Sequence, residues 1–89
     1  MNIDHLREFV YLAETLNFAV TARHFFISSS VLSKHVSAME DDLQVKLFDR
    51  DSRKVVLTEE GGLFYRDVVS VIAAFDRAVS NVETRRKRK

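Results

Sequence analysis

Ser28-Ser29-Ser30-Val31-Leu32-Ser33-Lys34-His35-Val36-Ser37-Ala38-Met39-Glu40-Asp41-Asp42-Leu43 is the stretch that decides the fold. Leu32, Val36, Met39 and Leu43 recur at steps of four, three and four, the spacing of one helical face. Ser29, Ser33 and Ser37 stand one turn apart on another face, with Ser30 and Lys34 beside them. Serines serve poorly inside a helix and well at its start, so a helix is expected from 29 or 30 to 43, opening at the serine run. Its acids, Glu40, Asp41 and Asp42, are held back to the far end.

Upstream, residues 3–16 read as a first helix. Leu6, Phe9, Val10, Ala13 and Leu16 form its apolar stripe, and Asn2 or Asp4 can cap its start. Asn17 interrupts, because Asn favours turns and helix ends. Residues 19–26 then make a short second helix whose Val20, Ala22, Phe25 and Phe26 are placed to cover the first. Downstream, Asp49-Arg50-Asp51-Ser52-Arg53-Lys54 is a polar turn between apolar Val45, Leu47 and Phe48 and the β-favouring Val55-Val56-Leu57-Thr58. That pattern predicts a small β-hairpin, or wing, with its tip near 50–54. A final helix runs over 59–86, with Thr58 as N-cap and Glu59 and Glu60 at the positive end of its dipole.

This last helix is on the order of 40 Å long. Phe64, Val68, Val71, Phe75, Ala78 and Val82 repeat along it at heptad spacing, and Tyr65, Val69, Ile72 and Val79 form a second stripe beside them. One stripe can pack on the first three helices. The other is left for a second copy of the chain. The expected dimer interface draws on both stripes: Phe64, Val68, Val71, Ile72, Phe75, Val79 and Val82.

Charge has to be read by region. The net charge is +1, yet residues 85–89 are all basic, and residues 1–84 carry nine basic groups against thirteen acidic, a net of −4. Residues 17–39 contain no acid at all, against Arg23 and Lys34. Two short helices, the second leading with small polar side chains and backed by an apolar face, are what a helix-turn-helix needs to enter the DNA major groove. Serine hydroxyls bond phosphates or either kind of base edge. The basic wing turn suits phosphates or a minor groove.

Composition excludes other classes. The chain has 89 residues, room for one small domain, and no Cys, hence no disulfide framework or thiolate chemistry, which fits a reducing cytosol. No apolar run spans a bilayer, and the start lacks the basic-then-apolar order of a signal peptide. His5, His24 and His35 are not spaced as a metal site, and no nucleophile, base and orienter are set together as an enzyme needs. No cofactor is expected. His35, between the buried and serine faces, is a further candidate DNA contact. The competing reading is a protein–protein interaction module in which the long helix is the functional part.

The stretch Ala22-Arg23-His24-Phe25-Phe26-Ile27-Ser28-Ser29-Ser30-Val31-Leu32-Ser33-Lys34-His35-Val36-Ser37-Ala38-Met39-Glu40 resembles the winged helix-turn-helix of LysR-type transcriptional regulators. So do Leu47-Phe48-Asp49-Arg50, Leu57-Thr58-Glu59-Glu60-Gly61, and the opening Leu6-Arg7-Glu8-Phe9-Val10 with Ala13-Glu14 and Phe18. The resemblance implies a mainly α fold: three helices and a small β-hairpin wing over 1–58 that bind DNA, then a linker and dimerisation helix with a basic tail over 59–89. It also implies a homodimer on a roughly palindromic double-stranded operator, and a small-molecule effector bound only by a C-terminal domain that this chain does not reach. By position it puts Asn17, Ser29, Ser30, Ser33, Lys34, Arg50 and Arg53 at the DNA, and the polar helix face adds Ser28 and Ser37 and the basic wing turn adds Lys54 to the candidates. Ser29 stands where the family has Gln, which reads adenine bidentately. Gln44 stands where it has a helix-closing Gly, at a cost of about 1 kcal/mol if the backbone there is left-handed. Thr21 and Phe25 replace the usual Ala and Leu.

Overall fold

A computed structural model describes residues 1–51 and 53–88. Ser52 of the wing turn and Lys89 of the basic run lie outside the described residues. The elements are α1 (Ile3–Thr15), α2 (Phe18–His24), α3 (Ser29–Leu43), β1 (Phe48–Asp49), β2 (Val56–Leu57) and α4 (Glu59–Lys87). Local side chains set each helix start. The side chain of Asn2 accepts from the His5 N–H, Asn17 from Val20, Ser28 from Val31 and Thr58 from Gly61. Each satisfies an amide the first helical turn leaves unpaired. β1 and β2 pair antiparallel, Phe48 opposite Leu57 and Asp49 opposite Val56, so the wing hairpin is as the sequence predicts.

The core joins all of these pieces. Phe9 and Leu12 of α1, Ala22 of α2, Leu32, Val36 and Met39 of α3, Leu47 and Phe48 at the wing, and Val68 of α4 are buried together. Phe9 stands between Phe48 and Phe64, with ring centroids 5.6 and 5.1 Å away. α4 runs antiparallel to α1. Tyr65 Oη near its start donates to Glu14 Oε2 at 2.6 Å, and further on Asp76 accepts a two-pronged bond from Arg7 at 2.6 and 3.2 Å. The bond from Arg7 holds the Asp76 carboxyl below the usual carboxylate range and raises the guanidinium. The pair is exposed and contributes little to stability, but it fixes the line of α4 along α1. The core thus crosses the junction at 58–59.

Among the described residues, three that are not glycine, Leu16, Phe26 and Gln44, have left-handed backbone. Gln44 ends α3 at φ 58°, and its side-chain amide donates to the Asp41 carbonyl at 2.7 Å, recovering part of the cost of lacking a Gly there. Phe26 corrects the sequence reading. It does not cover α1. α2 stops at His24, and Phe26 lies in the turn at φ 58°, 95% exposed. The turn needs a left-handed residue to swing the chain from α2 into α3, and an L side chain adopts that region at a cost of about 1–2 kcal/mol. Phe26→Gly is therefore expected to stabilise the fold by about 1 kcal/mol, read as a higher urea midpoint at unchanged slope. A lower midpoint would show that the ring has a covering contact.

Thr21 in α2 and Phe25 just after it are accommodated by local partners. Thr21 is fully buried, its hydroxyl 2.8 Å from that of Thr15. Phe25 packs edge-on against Tyr11 and His24, which stack 4.0 Å apart.

Candidate nucleic-acid interface

α3 presents one polar face and buries the other. Leu32, Val36 and Met39 lie in the core, while Ser28, Ser29, Ser30, Lys34 and Ser37 are exposed and Ser33 is half-buried. Ser28 spends its oxygen on the helix cap, accepting from the Val31 N–H at 3.1 Å, and keeps its hydroxyl proton for another partner. Asn17 is likewise a cap first, its Oδ1 taking the Val20 N–H at 2.9 Å. Asn17 shares an open cleft with Phe18, Arg53, Lys54 and Val55, which brings the start of α2 beside the wing cations. Arg53 and Lys54 are exposed there.

Arg50 sits differently from the sequence expectation. It lies at the wing root, directly after β1, and reaches back to α3, where Nη1 donates to Ser33 Oγ at 2.7 Å. Its guanidinium lies 4.5 Å from the centroid of the Phe18 ring. His35, a candidate contact by its phase, turns the other way. Its Nδ1 is 2.7 Å from Glu8 Oε1, and its ring stacks on His5 at 4.0 Å, so it ties α3 to α1. Among the described residues no three His, Cys, Asp or Glu are grouped to hold a metal ion.

Glu40 is the residue the sequence hides best. It reads as one of three surface acids, but it is buried, and its Oε2 accepts the backbone N–H of Leu47 at 2.8 Å and of Phe48 at 3.3 Å. The carboxylate pins the wing to α3. No sequence signal separates it from Asp41 and Asp42 except its phase, one step beyond Met39 at the edge of the apolar stripe. Thr58 supplies a second tie, donating to the Lys46 carbonyl at 2.6 Å while it caps α4.

The expected pairing face of α4 divides. Val68 is 3% exposed, and Phe64 and Ile72 pack on the same core, so these three are taken up within the chain and Val68 has no surface left for a partner. Heptad spacing identifies faces but not which one the chain covers itself. Val71, Phe75, Val79 and Val82 stay exposed, together with Leu63 and Val69, which were not in the expected interface set. No helix of the described residues is long and apolar enough to cross a membrane.

Three helices closing on a two-stranded wing, with a serine-rich third helix on the surface, define a winged helix-turn-helix. Residues 3–62 match the family of bacterial regulatory helix-turn-helix proteins described as the lysR family. The chain belongs to that family. It is 34% identical over 80 residues to the transcriptional regulator BenM of Acinetobacter baylyi, covering 90% of this chain and 26% of that protein. It is 43% identical over 61 residues to the transcriptional activator IlvY of Salmonella typhimurium, covering 68% of this chain and 21% of that one. The fold superposes on the BenM DNA-binding domain in its benA site 1 DNA complex with a TM-score of 0.91 at 30% identity, covering 100% of both chains. The chain spans about a quarter of the length of the curated relatives it matches.

Proposed function

We propose that this chain binds double-stranded DNA with sequence preference as a homodimer and serves a transcriptional regulator. α3 enters the major groove and the wing reaches the flanking minor groove. The carrying observation is the exposed face of Ser29, Ser30, Lys34 and Ser37, backed by the buried Leu32, Val36 and Met39, in a segment from 17 to 39 without an acid. Arg53 and Lys54 of the wing, with Asn17 beside them, serve as phosphate or minor-groove contacts. Residues 1–58 carry the reading elements and 59–89 the pairing helix. A small-molecule effector is assigned to the part of the relatives' length that this chain does not span. Catalysis has no place in this reading, and it implies a cytoplasmic protein.

The test begins by selecting bound duplexes from a random pool with the wild-type chain. Lys34→Ala should then weaken binding to the selected site by about 1–3 kcal/mol if Lys34 contacts a base, and relax preference at one position of each half-site. An unchanged affinity would remove Lys34 from the interface.

Pairing rests on the apolar ridge of α4. Phe75 is 45% exposed and Val82 69%, in line with Val71 and Val79. A ridge of this length in water favours a partner helix of the same kind. Phe75→Asp is expected to give a monomer by sedimentation and to lose the gain from having two half-sites on one duplex. An intact dimer would refute this interface. The competing reading, a helical interaction and dimerisation module without DNA preference, is favoured by no specific observation.

A further inference from the structure

Arg50 and Ser33 form a unit that settles how Ser33 meets DNA, an inference that rests on the DNA-binding reading above. A serine hydroxyl has one proton to donate and two lone pairs, so on its own it bonds donors and acceptors alike. Here one lone pair is taken by the cationic Arg50 at 2.7 Å. Arg has five N–H groups and no acceptor, so Ser33 is the acceptor in this contact. The hydroxyl proton therefore turns away from Arg50, and the remaining lone pair lies beside a positive charge that repels any incoming N–H.

The guanidinium is held in place to do this. It lies 4.5 Å from the centroid of Phe18, the first residue of α2. Phe18 packs edge-on against buried Phe48 at 6.4 Å, so the platform is anchored in the core. Stacking on an aromatic face restrains the fork of an Arg far more than the ammonium of a Lys. The three residues come from α2, α3 and the position just after β1, elements whose relative placement the core and Glu40 fix.

We infer that Arg50 is a positioning residue that makes Ser33 a committed hydrogen-bond donor toward a base edge. In the major groove guanine, thymine and adenine each present an acceptor, while cytosine presents only its amino group. The base that Ser33 reaches is therefore one with an acceptor, guanine or thymine before adenine, and cytosine is rejected there.

The test is the selection of bound duplexes from random DNA, run in parallel with the wild-type chain, Arg50→Met, Ser33→Ala and Phe18→Leu. Thermal melting serves as the check on folding. The wild-type chain should discriminate against cytosine by about tenfold at one position of each half-site. Ser33→Ala should abolish discrimination at that position. Arg50→Met should admit cytosine there, beyond any uniform loss from the missing charge. Phe18→Leu, which leaves the charge in place, should shift preference in the same direction. A uniform loss of affinity in Arg50→Met with the cytosine rejection intact would overturn the inference and leave Arg50 a phosphate anchor. Full preference retained in Phe18→Leu, or no change at any single position in Ser33→Ala, would overturn it as well. A wild-type chain that selects no sequence would overturn the DNA-binding reading, and this inference with it.

Discussion

Gly61→Ala should destabilise the fold by about 3 kcal/mol or more, while Gly62→Ala at the next position should stabilise it by about 0.5–1 kcal/mol. The two glycines share the first turns of α4, and a helix alone would make both substitutions favourable. Their surroundings differ. A Cβ on Gly61 would meet the Leu47 carbonyl oxygen at 2.1 Å, the carbonyl carbon at 3.0 Å and the Leu57 side chain at 2.7 Å. The carbonyl is backbone and cannot rotate away. It also accepts the Thr58 N–H at 3.0 Å, so moving it loosens the base of the wing. A Cβ on Gly62 meets nothing within 4 Å. Stabilities of small domains run to roughly 0.05–0.15 kcal/mol per residue, so the first change removes a large share of the total. Urea denaturation of both variants checks the pair. Effects of the same sign would mean that α4 does not pack this closely on the wing.

Glu40→Ala is the second large effect expected, at about 3 kcal/mol. Removing the carboxylate leaves the buried amides of Leu47 and Phe48 without their acceptor, and an unmade buried hydrogen bond to a charged group is costly. Glu40→Gln keeps one acceptor oxygen and should lose about 1 kcal/mol. Because the same carboxylate links α3 to the wing, Glu40→Ala should also weaken DNA binding at temperatures where the variant is still folded. The contribution of the wing contacts would then fall while base preference at α3 persists. Stability unchanged within about 0.5 kcal/mol would mean that Glu40 is a surface acid like Asp41.

The parts of the fold that were legible in the sequence are those governed by neighbours in the chain. Asn17, Ser28 and Thr58 announce helix starts because a cap acts within three residues. The stripe of Leu32, Val36 and Met39 fixes the buried face of α3 because a helix has one period. The wing was legible from the polar turn between two apolar runs. What was not legible depends on partners distant in sequence. Phe26 has the composition of a core residue, but the residue where α2 stops is set by a turn whose need for a left-handed backbone leaves no local mark. Arg50 reads as a wing-tip cation until Phe18 and Ser33 are brought to it in space. Glu40 is set apart from Asp41 and Asp42 by its position around the helix axis, about 100° from the first and about 200° from the second. Along α4, heptad spacing offers two faces, and only the position of α1 decides that Val68 and Ile72 turn inward while Phe75 and Val79 do not.

Placement on the chain also explains the near-neutral total charge. The acid-free segment from 17 to 39 supplies the proposed DNA face of Ser29, Ser30, Lys34 and Ser37. Asp41 and Asp42 stand at the opposite end of α3. Glu40 is withdrawn into the core altogether.

Sequence-preferring DNA binding through α3 and the wing can be measured in solution. The most direct measurement is affinity for a selected duplex and for its scrambled counterpart over a range of salt concentrations. The expected result is tighter binding to the selected duplex at every salt concentration, with log affinity falling linearly with log salt at about 0.9 per phosphate neutralised. Equal affinity for both duplexes, or no binding to either, would contradict it.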